Sequence, residues 1–209
     1  MDTPADPARA GGAPSDDAFQ DLAPQERERL RARDPEALEL FYLRYFDRVY
    51  GYVRRLLREE HLAEDVTQEI FMHIHRSLPS YDPGRDLRPW VFTIATNKIR
   101  DHWRSRGHRD GLRESAVEEG AGDSYAVSPH RGPTEILEAN EVSDLVGRAI
   151  DGMPEIMRTT LVLRYFEGLS FAEIGRIVER NETAVRKRYS RALEELRKAL
   201  GKVLDVGKG

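Results

Sequence analysis

Apolar residues in this chain recur at steps of three and four, and nowhere do they alternate with polar ones over the length of a strand. Steps of three and four keep one side of an α-helix apolar, whereas a half-buried strand needs alternation, so the spacing predicts an all-α fold. Asp34-Pro35-Glu36 supplies a cap, a first-turn proline and a first-turn acid, and Leu38, Phe41, Tyr45, Val49, Val53 and Leu56 follow in helical register. A second helix is predicted from about Leu62 to Leu78, with Val66, Ile70, Phe71 and Ile74 inward and Pro79 as its stop. Ser80 to Pro89 is dense in turn formers and predicts a loop of defined shape, after which a third helix runs from about Trp90 to Arg106.

Past residue 106 the composition turns to Gly, Ser, Glu and Asp, which predicts a flexible linker over residues 107–133. Helix resumes around Thr134 and continues through Leu145, Val146 and Ile150, and Pro154 opens another helix bearing Ile156, Leu161, Val162 and Leu163. The first 25 residues are rich in Pro, Ala, Gly and Asp without periodicity and read as a disordered leader. The expectation is two small helical domains on a tether: leader 1–25, first domain 26–106, linker 107–133, second domain 134–200 and tail 201–209.

The second domain ends in GLSFAEIGRIVERNETAVRKRYSRALEELRKAL, which has the pattern of a helix-turn-helix. Ser170 with Glu173 three residues on has the capping-box spacing, and Phe171, Ile174, Ile177 and Val178 give that helix one apolar face. Asn181 then caps a second helix on which Val185, Tyr189, Ala192 and Leu196 share a side. Turned away from them are Thr183, Arg186, Lys187, Ser190 and Arg191. Cations near the start of such a helix suit phosphate neutralisation and guanine-edge contacts in a major groove. A solvated amphipathic helix in a bundle would carry similar charges, and the capped helix ahead of it is what favours DNA.

A net charge of −4 does not oppose this, because charge is segregated along the chain. The first 25 residues hold five Asp and one Arg, Lys98 to Arg113 is strongly basic, and Glu114 to Glu141 is acidic again.

The third helix places Thr93, Asn97, Arg100 and Arg104 along a polar face, opposite Val91, Ala95, Ile99 and His102. Tyr81 and Trp90 stand beside that face. Aromatic rings stack on unpaired bases, cations hold a backbone and an amide reads a base edge, which together describe a single-strand or base-capture site. Taken alone, Trp90 and Trp103 read as core residues ahead of base platforms, and it is their place beside a Pro- and Gly-shaped loop that favours the functional reading. The second helix presents Glu64, Asp65, Gln68 and Glu69 opposite its apolar stripe, a surface for a protein partner or simply a solvated face.

Several classes of function lack their residues. Without cysteine there is no disulfide or thiolate metal site, which fits a reducing cytoplasm. His73 and His75 lie two apart on a helix and do not face each other, so no metal is predicted there. The chain has no Gly-rich phosphate loop or nucleophile elbow, so no enzyme activity, catalytic residue or cofactor is expected. It has no run of 18 apolar residues and no signal segment, so neither membrane insertion nor export is expected.

AEDVTQEIFMHIHRSLPSYDPGRDLRPWVFTIATNKIRDHWRSRGHR resembles the second conserved region of the sigma-70 family of bacterial RNA polymerase sigma factors, and MPEIMRTTLVLRYFEGLSFAEIGRIVERNETAVRKRYSRALEELRK resembles the fourth. Keeping these two regions alone is the pattern of the extracytoplasmic-function (ECF) subgroup, and the likeness covers about Leu30 to Arg106 and Asn140 to Ala199. It implies a non-enzymatic initiation factor that binds core RNA polymerase, directs it to promoter DNA and assists melting. Asp65, Gln68 and Glu69 match the polymerase-docking surface. Tyr81, Trp90, Asn97, Arg100 and Arg104 match the element that opens the minus-ten sequence and captures a flipped base. Thr183, Arg186, Lys187, Arg188 and Arg191 match the reader of the minus-thirty-five duplex. The resemblance also admits an anti-sigma partner, which no residue here identifies, and implies a cytoplasmic, nucleoid-associated protein. A helix-turn-helix regulator working without polymerase is the alternative.

Two departures stand out: Glu179 replaces the usual turn glycine, and Asn181-Glu-Thr-Ala-Val185 replaces the common Ser-x-Gly-Thr-Val. A positive φ at Glu179 would be strained.

Overall fold

The computed structural model describes residues 21–110, 147, 149–150 and 152–206, and among them all regular structure is helical. The first bundle comprises α1 (Pro24–Arg31), α2 (Pro35–Leu57), α3 (Glu60–Ser77), a 3-10 turn (Leu78–Ser80) and α4 (Leu87–Asp110). The second comprises α5 (Glu155–Tyr165), α6 (Phe171–Ile177) and α7 (Glu182–Val206). Residues 107–110 of the predicted linker belong to α4, and residues 111–133, with the predicted helix from Thr134 through Val146, lie outside the described residues.

Local chemistry sets the helix ends. The Asp34 carboxylate accepts from Ala37 N at 3.1 Å, satisfying a donor that has no partner within the helix, and Pro35 occupies the first helical position. That bond draws the Asp34 carboxyl below its ordinary pKa. At the start of α4 the helix begins at Leu87, three residues earlier than the composition suggests. Pro89 is no obstacle within the first turn, because an N–H there would have no intrahelical acceptor. The predicted loop therefore contracts to Tyr81–Asp86.

Phe41, Tyr45, Val49, Tyr52, Val53 and Leu56 form the buried seam of α2, which faces Val66, Ile70 and Ile74 of α3 and Val91, Phe92, Ala95 and Ile99 of α4. Each buried Val, Leu, Ile or Phe among them stabilises the fold by about 1.5–3 kcal/mol relative to its exposed state. Tyr52 needs a partner for its hydroxyl and shares a 2.7 Å hydrogen bond with the buried Thr96, while its ring meets Phe92 edge-on at 5.2 Å.

α1 was not foreseen. Its eight residues bury a single apolar side chain, Leu30, too few to create a period. Pro24 starts it, and Glu26 reaches back to accept from Ala23 N at 2.6 Å. The chain just ahead of it is also tied down: Leu22 is buried, and the Tyr45 hydroxyl donates to the Asp21 carboxylate at 2.6 Å. The predicted leader thus overlaps packed structure at residues 21–25.

The two bundles pack against each other, which tethered domains did not lead us to expect. α5 buries five residues in succession, Thr159 to Leu163, so it is enclosed on all sides. Leu161 faces Met153 and Ala192 within the second bundle, while Val162 and Leu163 join the core of α2 and α4. Three arginines of the seam find partners. Arg48 Nε lies 3.0 Å from the buried Glu167 carboxylate, Arg55 covers the Phe166 ring at 3.9 Å, and Arg158 donates to Leu56 O at 3.3 Å. Burial pushes the Glu167 carboxyl above its ordinary pKa, and Arg48, with Arg55 and Arg88 beyond it, pulls it partly back.

Candidate polymerase and DNA interfaces

Three exposed surfaces carry the residues singled out in the sequence. On α3, Asp65, Gln68 and Glu69 are all exposed, and Lys98 of α4 stands 3.4 Å from the Glu69 carboxylate. Burying Val66, Thr67, Ile70, Phe71 and Ile74 dictates this, since that set takes one side of the helix and turns Asp65, Gln68 and Glu69 away from it. Beside these acids lies a patch that periodicity did not single out. Tyr42, Leu43 and Phe46 of α2 and Met72 of α3 are exposed, and Tyr42 and Phe46 pack on Phe71 at 4.6 and 5.7 Å between centroids. The available signal was that LFYLRYF is apolar over more than one face of α2.

The second surface is the loop Tyr81–Asp86 with α4. The loop turns tightly, as Asp82 accepts from Gly84 N through its carboxylate at 3.0 Å and from Arg85 N through its carbonyl at 3.0 Å. Asn97 is exposed on α4, Arg100 is half-buried, and Arg104 is exposed and ion-paired with Asp101. Thr93 donates to Pro89 O at 2.7 Å and so turns its hydroxyl onto the helix. The aromatics are less available than the sequence suggests. Trp90 is half-buried, and Tyr81 is only 2% exposed, its ring 4.8 Å from Trp90 and its hydroxyl donating to Arg85 O at 2.5 Å. In this arrangement Tyr81 shapes the loop and offers a base no open face.

The third surface is α7 on the helix-turn-helix. Ser170 Oγ accepts from Glu173 N at 3.2 Å while Glu173 accepts from Ser170 N at 2.7 Å, and Asn181 accepts from Ala184 N at 2.8 Å. Both caps form as their spacing predicts. Val185 and Ala192 are fully buried, with Tyr189 and Leu196 partly so, and this rolls Thr183, Arg186, Lys187 and Arg191 into solvent. Arg188 departs from that set: it is half-buried, one guanidinium nitrogen sealed without a hydrogen-bond partner. Glu182 grips Arg186 at 2.6 and 3.0 Å, one turn apart, while that guanidinium covers the Phe171 ring at 4.6 Å. Glu179 does take the left-handed conformation, φ 55°. A side chain there costs about 1–2 kcal/mol, so Glu179→Gly should stabilise the second bundle by about 1 kcal/mol net of glycine's extra unfolded entropy, as read by urea unfolding.

Among the described residues no group of three or more His, Cys, Asp or Glu could hold a metal, and no helix is long and apolar enough to cross a membrane.

Residues 41–109 match the family model for sigma-70 region 2, and residues 143–196 match that for sigma-70 region 4. The RNA polymerase sigma-H factor of Pseudomonas aeruginosa is 31% identical over 85% of this chain and 93% of its own. The RNA polymerase sigma factor CarQ of Myxococcus xanthus is 32% identical over 87% and 99%. In fold, the chain is similar to the sigma factor RpoE of Bartonella quintana, solved with the anti-sigma factor NepR, at TM-score 0.65 and 20% identity over 78% of this chain and 96% of that one. With both conserved regions present in order and near-full-length relatives above 30% identity, the chain belongs to the sigma-70 family of RNA polymerase sigma factors, in its ECF subgroup.

Proposed function

We propose that this sigma factor docks on core RNA polymerase through Asp65, Gln68 and Glu69, receives the unpaired minus-ten strand at α4, and reads the minus-thirty-five duplex with α7. The observation that carries this reading is the division of the first bundle. α3 exposes Asp65, Gln68 and Glu69, while α4 exposes Asn97 and Arg104 with Arg100 half-buried, so the acidic and the basic surfaces belong to different helices. Tyr42, Phe46 and Met72 give the docking surface an apolar centre with a charged rim, the usual anatomy of a protein interface.

At α4 an exposed amide can accept and donate to a base edge while the arginines hold the phosphates on either side. Extruding a base costs a few kcal/mol of stacking, which a preformed loop beside the helix helps to offset. Asn97→Ala should therefore depress open-complex formation, read as permanganate reactivity at the promoter, more than it depresses duplex binding. On α7, Arg186→Ala or Arg191→Ala should weaken binding of the upstream duplex and flatten its salt dependence by about one unit for each phosphate no longer neutralised. Two nitrogens of the Arg186 guanidinium donate to one Glu182 oxygen, which holds the head group near the start of α7 and favours a specific contact over a diffuse one.

The deciding experiment is core-polymerase binding by the double variant Asp65→Arg, Gln68→Ala. We expect a loss of about tenfold or more, roughly 1.4 kcal/mol, with helix content and upstream-duplex binding unchanged. Unaltered core affinity would remove the docking assignment.

A further inference from the structure

α1 lies ahead of the residues that match the region 2 family model, yet one of its side chains reaches the loop before α4. Arg27 is 13% exposed, and its Nη1 donates to the Arg85 carbonyl at 2.7 Å across 58 residues of sequence. The same carbonyl accepts from the Tyr81 hydroxyl at 2.5 Å. A carbonyl oxygen has two lone pairs, and here both are engaged, one by a charged donor. Arg27 Nη1 also lies 3.9 Å from the exposed Asp86 carboxylate, while its Nε is sealed from solvent without a hydrogen bond. Confining a guanidinium in this way is costly unless its remaining bonds are strong, so the bond to Arg85 is not an incidental surface contact. Burial raises the pKa of the Tyr81 phenol and the adjacent Arg27 charge pulls it back, consistent with a shared, poorly hydrated pocket.

Within the loop, the Asp82 bonds to Gly84 and Arg85 fix a local turn and leave its placement on the bundle to contacts from elsewhere. Arg27 and Tyr81 converge on the carbonyl at the end of that turn, and Tyr81 in turn packs against Trp90 at the start of α4. A loop held before the strand arrives does not have to be ordered when it binds.

From this geometry we infer that Arg27 is a positioning residue for promoter melting, locking the Tyr81–Asp86 loop through the Arg85 carbonyl in the shape that receives an unpaired base. The inference rests on the reading of α4 as the minus-ten surface and adds α1 to the melting apparatus. It makes the helix ahead of region 2 a functional part of the first bundle.

The test uses the full chain assembled with core polymerase, and a fluorescent single-stranded oligonucleotide carrying the non-template strand of a promoter that this holoenzyme transcribes. Arg27→Met keeps the length and apolar stem and removes the donors. It should weaken oligonucleotide binding about tenfold, leaving core affinity and upstream-duplex binding within twofold of the parent. Arg27→Lys, which restores one charged donor, should recover part of the loss, and Tyr81→Phe, which removes the second donor to the same carbonyl, should reproduce part of it. Asn97→Ala separates the two ideas. If Asn97→Ala weakens strand binding and Arg27→Met does not, the positioning role is overturned while the α4 reading stands. If neither variant weakens it, both fall. If Arg27→Met lowers core affinity or thermal stability in step with strand binding, Arg27 is a brace for the bundle alone and the positioning role is likewise overturned.

Discussion

Gly175→Val should abolish recognition of the upstream duplex element. Gly175 sits inside α6 and is buried, and a Cβ at that position would stand 2.6 Å from the Arg180 carbonyl oxygen. That oxygen belongs to the backbone of the turn, which cannot swing aside as a flexible side chain would. The same turn is held by Arg180 N donating to Gly175 O at 2.8 Å and by the left-handed Glu179. Relieving the clash means moving the turn away from α6, and with it the start of α7, where Thr183, Arg186 and Lys187 lie. Overpacking of this kind costs about 1–3 kcal/mol when neighbours can yield, and the upper end applies when the neighbour is main chain. We expect a loss of about 3 kcal/mol in the stability of the second bundle. Specific duplex binding should fall by more than tenfold in a mobility-shift titration, and core-polymerase affinity, which we assign to α3, should be far less affected. Gly175→Ala should show the same pattern more weakly.

Glu167→Arg should drive the two bundles apart. The Glu167 carboxylate is buried at the seam against Arg48, with Arg55 and Arg88 also acting on it. Replacing the anion with a cation removes one partner of Arg48 and adds like charge beside Arg48, Arg55 and Arg88. Breaking a buried pair from one side costs about 3–5 kcal/mol, and the lower figure suits this case because Arg48 is a quarter exposed. Small-angle scattering should report a larger radius of gyration with helix content retained. Glu167→Gln, still able to accept from Arg48, should remain closed. It should also remove a pH dependence whose sign follows from the raised pKa. The packed state holds its proton more tightly than the unfolded chain does, so packing is strongest below the ordinary carboxylate range and weakens as pH rises through the raised value. Unfolding midpoints followed across that interval for the parent and for Glu167→Gln would check this.

How much of this could be read from residues alone depended on how local the cause was. Asp34, Ser170 and Asn181 each act within three residues of themselves, and all three caps form as their spacing predicts. The exposed sets on α3 and α7 also followed from periodicity, because burying one face of a helix fixes the other. What escaped was decided at a distance. α1 carries one buried apolar residue and is held by α2 and the 3-10 turn, so nothing in its own eight residues announces it. Tyr81 reads in the sequence as an aromatic beside the polar face of α4, and it is packing with Trp90 and the bond to Arg85 that bury it. Arg188 lies among exposed cations in sequence, yet half a turn of helix places it against the bundle. The run Thr159 to Leu163 did carry a signal for the inter-bundle seam, since a helix buried all round must have neighbours on two sides, but periodicity does not say which ones.

α5 has consequences for how this factor could be opened. Val162 and Leu163 are covered in part by the first bundle, so holding α4 and α7 on separate stretches of DNA would uncover them. Uncovered aliphatic surface is a liability in free solution, where it invites association with other chains. Any assembly that spreads the two bundles must therefore bring apolar cover of its own, and until it does so the bundles act as each other's chaperone.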